Sequence, residues 1–197
     1  MNKEEIKLLY NELILENVIA LEEIPEIDLY MDQVIQLFEA KYSKTLRKEE
    51  EKVLTKTMIN NYVKDKLIMP INKKKYSKEH LILLSLIYQF KGTLSINDIK
   101  NSLKPIVKSL TEKEEYPLRE LYKKYLEIYS TDVESFNLAV DKSVESICTE
   151  DESCGCEYED KILLISSLVN MSNMYRRLAE RLVDDISSDT NEDLCKI

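Results

Sequence analysis

Glycine, histidine and tryptophan are scarce in this sequence of 197 residues, which contains two glycines, one histidine and no tryptophan. Phosphate-binding loops and dinucleotide fingerprints need several glycines, because the backbone must come close to the ligand, so both motifs are excluded. All-β folds use glycine at their many turns and are disfavoured as well. One histidine excludes metal motifs built on paired histidines. The composition therefore predicts a mainly helical protein.

Long apolar runs are also missing. The longest nearly apolar run covers residues 81–90, well short of the ~20 residues that a membrane span needs. The N-terminus is acidic and amphipathic, unlike a secretory signal. Nothing in the sequence indicates export, so the four cysteines are expected to be reduced thiols in a cytoplasm. We therefore expect a cytoplasmic protein without a membrane span.

No residues are spaced as a catalytic constellation, so neither enzymatic activity nor a cofactor is predicted. Three of the cysteines lie in or beside the acidic segment Thr149–Glu159. Thiolates can hold a thiophilic metal or act as a redox switch, but structural zinc sites use two closely spaced pairs, and the second pair is absent here. No metal site is predicted. Two interpretations of the thiols stay open, a sensing role and no functional role, for Cys148, Cys154, Cys156 and Cys195.

Charge is unevenly distributed around a net value of −9. Residues 41–110 contain 16 Lys/Arg and 6 Asp/Glu, a net of +10. Residues 1–40 contain 2 basic and 10 acidic residues, and residues 111–197 contain 10 basic and 21 acidic residues. A basic block between two acidic blocks is typical of a polyanion-binding surface, although lysine is common throughout the chain.

Hydrophobic periodicity and capping residues predict the helices. The first apolar stripe ends before Pro25, Asp28 is the expected cap of the second helix, and Gly92 is the expected stop of the fourth. The short basic stretch 71–76 suits a tight β-hairpin. The predicted helices span residues 3–20, 29–42, 55–66, 77–91, 95–104, 117–129, 131–148 and 158–186, and the tail 187–197 is expected to be disordered.

The helix predicted at 55–66 carries one polar face. Thr57, Asn60, Asn61 and Lys64 are spaced i, i+3, i+4 and i+7, so they share a side. A helix of this kind fits the major groove of DNA, where asparagine reads adenine. A basic hairpin next to it would reach the flanking phosphates.

The segment Met58–Ile68 (MINNYVKDKLI), followed by Pro70 and by KKYSKEHL at 74–81, resembles the recognition helix and basic wing of the MerR family of bacterial regulators. It is also similar, with DLYMDQ at 28–33, to an uncharacterised bacterial family of unknown function related to MerR. Asn60 occupies the position of the family's recognition arginine. Lys66 replaces the turn glycine, so either Lys66 adopts a positive φ or the turn is altered.

The resemblance implies a mainly α fold, in which a MerR-like winged helix-turn-helix domain with a short β-hairpin wing precedes a C-terminal α-helical bundle or dimerisation region. The expected division is an N-terminal amphipathic helix at 1–25, the winged domain at 26–110, the helical region at 111–186 and the tail at 187–197. The DNA-binding residues it predicts are Lys56, Thr57, Asn60, Asn61, Tyr62, Lys64, Lys73, Lys74, Lys75 and Tyr76.

The predicted function is that of a sequence-specific DNA-binding transcriptional regulator. Broad apolar periodicity over 160–183 predicts either a homodimer interface or the core of a monomeric bundle. The predicted partners are therefore DNA and a second copy, while a small-molecule or metal effector stays open. The alternative is a protein–protein interaction module that retains a vestigial MerR-like fold and docks an acidic partner.

Overall fold

The computed structural model describes residues 3–48, 50–147 and 157–189, and the mainly helical class is confirmed within them. A short 3-10 turn, Ser43–Thr45, follows the second helix. The remaining elements are α1 (Lys3–Glu12), β1 (Leu29–Tyr30), α2 (Met31–Tyr42), α3 (Lys56–Lys64), β2 (Lys75–Tyr76), α4 (Lys78–Phe90), α5 (Ile96–Thr111), α6 (Leu118–Ile147) and α7 (Glu157–Asp189).

Helix α4 is the centre of the main hydrophobic core. It contains the longest nearly apolar run of the sequence, and most of its side chains are buried on all sides. The one serine inside it, Ser85, donates its hydroxyl to the Leu81 carbonyl at 3.0 Å, so its burial leaves no donor unpaired. Core residues extend from Ile19 to Tyr122. The core thus includes residues on both sides of the boundaries predicted at 26 and 110.

The prediction of one helix over residues 3–20 is wrong, because α1 ends at Glu12 and an irregular segment follows. Ile19, in that segment, is fully buried, and two core tyrosines bind its backbone. The Ile19 N–H donates to the Tyr42 hydroxyl at 3.3 Å, and the Tyr122 hydroxyl donates to the Ile19 carbonyl at 2.7 Å. These tertiary bonds replace helical ones and outweigh local helix propensity.

The two strands form a minimal antiparallel sheet with Leu29 opposite Tyr76 and Tyr30 opposite Lys75. The hairpin prediction is therefore correct only in part. Backbone at Asn72 and Lys75 forms a single bridge, but β2 pairs mainly with the segment that enters α2. The cap prediction at Asp28 is also wrong: Tyr30 is the N-cap, and its N–H donates to the Gln33 side chain at 2.8 Å.

Three further helix boundaries differ from the predictions. Helix α5 continues through Pro105 to Thr111, since a capping box of Ser95 and Asp98 and a buried face offset the one backbone bond that proline removes. Helix α6 is continuous over the predicted break at 130. Residues 187–189, predicted to be disordered, belong to α7.

Helix α6 links the main core to a second, smaller one. Tyr122 packs in the main core, whereas Val140 and Val144 pack with Ile6 of α1 and Leu164 of α7. The acidic helix α1 therefore lies on the distal half of α6.

His80 is buried and caps α4. The N–H of Ser77 donates to His80 Nδ1 at 3.1 Å, and the ring packs edge-on against Tyr76. Burial lowers the pKa of His80, although the carbonyls of Met69 and Pro70 oppose that effect. The folded state thus favours the neutral ring. His80 therefore caps α4 from a buried position.

This burial predicts a pH dependence of stability. Because the folded pKa of His80 lies below the ordinary value of 6.5, the unfolded chain binds more protons in this range, and stability falls as pH falls through 6.5. We expect a lower free energy of unfolding in urea at pH 5.5 than at pH 7.5. His80 is the sole histidine, and His80→Gln keeps a cap acceptor of the type used by Gln33, so the variant should lose this difference. Equal wild-type values at both pH values would contradict the assignment.

Candidate nucleic-acid interface

Helix α3 is short and fixed at both ends. The Thr55 side chain accepts from the Met58 N–H at 3.1 Å at its N-terminus. At its C-terminus, the Lys66 N–H donates to the Val63 carbonyl and the Leu67 N–H to the Tyr62 carbonyl. This pair of bonds is a Schellman motif, with Lys66 at the position that glycine usually occupies. Capping at both ends stabilises a nine-residue helix that would be marginal alone.

One face of α3 packs on the core and the other is open to solvent. Ile59 is fully buried and Tyr62 is nearly so. The polar face predicted from the spacing is confirmed as exposed, and consists of Thr57, Asn60, Asn61 and Lys64. This face offers two amides and an ammonium group on a rigid backbone, the groups that read base edges and bind phosphate.

Two lysines form the tip of the tight turn that precedes β2. The Lys75 N–H donates to the Asn72 carbonyl at 2.9 Å, closing a turn in which Lys73 and Lys74 have φ values of 48° and 60°. Positive φ at both central positions is characteristic of the type I′ turn, which favours asparagine and glycine. The chain instead holds two lysines there, at a cost of about 1–2 kcal/mol each. Both side chains are exposed at the tip of the turn.

The N-terminus of α2 holds the start of α3 and the lysine turn on the same side of the molecule. Asp32 forms an ion pair with Lys56 at 2.7 Å. Lys75 lies 5.3 Å from the centre of the Tyr30 ring, a cation–π contact. Tyr30 also pairs with Lys75 through the backbone. Tyr30, just before α2, and Asp32, in its first turn, therefore each bind one end of a basic element.

Eight of the ten predicted DNA-binding residues are available at this surface and two are not. Lys75 is half-buried; seven others are exposed: Lys56, Thr57, Asn60, Asn61, Lys64, Lys73 and Lys74. The prediction is wrong for Tyr62 and Tyr76, which lie in the hydrophobic core with 7% and 1% exposure. Each tyrosine lies on the buried side of its helix or strand, and the residue type alone does not show on which side a tyrosine lies.

Several contributors to this surface were missed in the sequence. Tyr30 and Asp32 position the two basic elements, and the only available signal was their place in the DLYMDQ segment. Lys66 has a φ of 59°, so of the two alternatives for this residue the positive φ is confirmed. The connection between α2 and α3 adds further exposed basic residues: Lys44, Arg47, Lys48 and Lys52.

Two carboxylates of the N-terminal acidic block pair with lysines outside the predicted interface. Glu23 binds Lys41, and Glu26 binds the buried ammonium of Lys78 at 2.7 Å. These pairs neutralise structural lysines, and they lower the pKa of Glu26 through its hydrogen bond with Lys78. Asp32 alone among these paired carboxylates bonds to a residue of the predicted interface.

The described part of the chain contains neither a metal-binding cluster nor a membrane-spanning helix. No group of three His, Cys, Asp or Glu side chains there is arranged to hold a metal ion. Among residues 3–48, 50–147 and 157–189, no helix has both the length and the apolarity needed to cross a bilayer. All four cysteines lie outside the described residues.

The comparison with protein families identifies residues 19–125 as DUF1836, a domain of unknown function. The match spans more than half of the chain, so the chain belongs to the DUF1836 family. Its limits follow the main core, which extends from Ile19 to Tyr122. Helix α1, the distal half of α6 and all of α7 lie outside the match. A search of curated proteins and a search of solved structures found no match.

The resemblance to MerR regulators is therefore wrong. The matching family is DUF1836, and neither a MerR nor any other helix-turn-helix family matches. The structure differs from the expected motif as well. Residues 43–55 separate α2 from α3 in place of a tight turn, and β2 pairs with β1 ahead of α2 rather than forming a two-stranded wing of its own.

The left-handed conformation of Lys66 generates a stability prediction. Lys66→Gly removes the clash between the β-carbon and the backbone at the end of α3, and should raise the free energy of unfolding by about 1 kcal/mol. Lys66→Ala is the matched control, because it removes the same charge and keeps the β-carbon. Urea titrations of the three proteins measure the difference. A gain with alanine equal to the gain with glycine would assign the effect to charge and contradict the conformational account.

Proposed function

We propose that this chain is a sequence-specific DNA-binding transcriptional regulator. In this proposal α3 enters the major groove, and the turn of Lys73 and Lys74 binds the phosphate backbone. The observation that carries it is that a helix with an exposed amide-bearing face and a strained two-lysine turn both contact the N-terminus of α2. The contacts are the Asp32–Lys56 ion pair and the Tyr30–Lys75 cation–π pair.

The geometry of α3 supports major-groove entry. The groove is about 12 Å wide and admits one α-helix. Side chains at 57, 60, 61 and 64 point away from the core on a helix with both ends capped. Asn60 and Asn61 supply the paired donor and acceptor that read adenine, while Lys64 supplies a charge for phosphate or guanine.

The lysine turn supports phosphate binding for a different reason. Residues held in a costly backbone conformation cluster at functional sites, and here two neighbouring residues share that conformation. Lysines at the tip of a tight turn keep their ammonium groups in solvent, on a backbone that the turn holds in place. When these lysines bind phosphates, counterions are released from the DNA, and this favours binding whatever the DNA sequence.

Amide side chains, rather than charge, favour DNA over the alternative, an acidic protein partner. The chain has a net charge of −9, which weakens general attraction to either kind of acidic macromolecule, so both would have to bind the local basic groups. The amides of Asn60 and Asn61 beside those groups favour the partner that has base edges to read. The docking alternative would be supported if an acidic polypeptide displaced DNA from this chain and bound it more tightly than a DNA duplex of equal charge.

The turn lysines should determine the salt dependence of DNA binding. For the full chain with a short random-sequence duplex, we expect Lys73→Ala/Lys74→Ala to lower the slope of log K against log salt by about 2, because each lost phosphate contact removes about 0.9. Alanine keeps the left-handed strain and removes only the charges. The matched control, Lys104→Ala/Lys108→Ala, alters two exposed lysines of α5 and should leave the slope unchanged. Equal slopes in all three proteins would exclude the turn from the interface.

The amide face of α3 should determine sequence preference. Asn60→Ala is expected to reduce discrimination between a selected site and a random duplex by about 1–3 kcal/mol, the worth of a bidentate base contact. Its salt slope should remain that of the wild type, since phosphate contacts are intact. Competition binding with the two duplexes measures the discrimination. Undiminished preference after the substitution would remove Asn60 from base reading.

A further inference from the structure

Helix α7 is longer and more apolar than its contacts within the chain require. It has 33 residues, yet only Leu164 and Val183 among its large apolar side chains are buried. Twelve others are between 36% and 69% exposed: Tyr158, Ile162, Leu163, Ile165, Leu168, Val169, Met171, Met174, Tyr175, Leu178, Leu182 and Ile186. An exposed apolar surface of this extent indicates an interaction site.

The middle of α7 also lacks a charged face. Residues 162–175 (ILLISSLVNMSNMY) contain no charged side chain on any side of four helical turns. A helix without a solvated face is normally buried. A standard interface buries about 800 Å² per partner. Two of the twelve exposed side chains are tyrosines, each of which buries about 150–250 Å² when enclosed, and ten aliphatic side chains add to that area.

A cleft borders the apolar surface of α7. It has a volume of about 910 Å³ and lies between the end of α4, α5, α6 and the C-terminal half of α7. Its walls are mainly apolar, with Phe90 and Leu94 on one side, Phe136 on α6, and Met171 and Tyr175 on α7. Protein interiors leave few voids larger than a water molecule, so a space of this size adjoining an apolar helix calls for an occupant.

We propose that the occupant is α7 of a second copy, packed antiparallel on the first about a two-fold axis near Leu168 and Val169. These residues are the midpoint of the uncharged run. A symmetric contact there pairs the same surface of both copies. The exposed apolar side chains of each α7 then meet across the axis, and those of the partner fill the cleft.

Charge at the two ends of the run selects the antiparallel orientation. Residues 157–161 have a net charge of −2, from Glu157, Glu159, Asp160 and Lys161. Residues 176–181 have a net charge of +2, from three arginines and Glu180. An antiparallel pair sets the acidic end of one helix against the arginines of the other, whereas a parallel pair opposes like charges. Antiparallel helix dipoles add to this preference.

The mass of the full chain in solution is the first test. Sedimentation or light scattering should give about 46 kDa, twice the 23.1 kDa of one chain. Leu168→Glu sets two carboxylates against each other at the axis and should raise the dimer dissociation constant by about 100-fold. Leu138→Glu is the control, since Leu138 on α6 is 71% exposed and lies outside the cleft; its mass should stay that of a dimer. A monomeric wild type at high micromolar concentration overturns the proposal.

A charge swap tests the orientation and does not depend on an apolar position. Arg177→Glu should weaken the dimer, and adding Glu159→Arg in the same chain should restore it, because each substituted end meets its complement on the other copy. A stronger dimer after Arg177→Glu alone would overturn the antiparallel arrangement. A monomer whose cleft takes up a small apolar molecule would overturn the second copy as occupant.

These outcomes are separate from those of the DNA proposal. The dimer argument rests on α7 and the cleft, which lie outside the surface formed by α3 and the lysine turn. A monomer that binds DNA with the predicted salt slope overturns the dimer alone. A dimer that does not bind DNA overturns the proposed function alone.

Discussion

The pairing of β1 with β2 is the constraint on which the proposed interface depends. It joins Leu29 to Tyr76 across 47 positions of sequence and buries both side chains in the main core. Without it, the lysine turn would be a mobile loop between α3 and α4. With it, the turn lies beside the start of α2, where Asp32 also binds α3. A two-residue sheet is weak by itself, so its stability comes from the core beneath it.

The chain divides into the family domain, built around the main core, and a C-terminal part whose apolar surface is largely exposed. Residues 19–125, the family domain, surround α4, and two buried tyrosines fix the irregular entry segment at Ile19. Beyond it, α6 extends to a second core of only four buried residues, and α7 exposes most of its apolar surface. The proposed dimer supplies what this second part lacks. It also gives two copies of α3 the two-fold relation that palindromic DNA sites require.

Local signals predicted the parts of the fold that local interactions control. The polar face of α3 and the helix starts near residues 77 and 95 were correct because spacing and capping determine them within a few residues. Failures came from tertiary contacts. Ile19 leaves the helical pattern because distant tyrosines bind its backbone, and Tyr62 and Tyr76 face inward because the core needs them. The MerR resemblance was wrong because it rested on a short basic segment. That segment does not determine the pairing of β2, whose partner strand lies about 45 residues earlier in the sequence.

Selection of bound fragments from a random DNA pool with the full chain, repeated at two salt concentrations, tests the central claim most directly. The account predicts one enriched motif at the higher salt, because amide contacts from α3 persist when phosphate attraction is screened. In a dimer, the motif should consist of two inverted half-sites at a fixed spacing. Recovery of fragments without a common motif at either salt would contradict a sequence-reading role for α3.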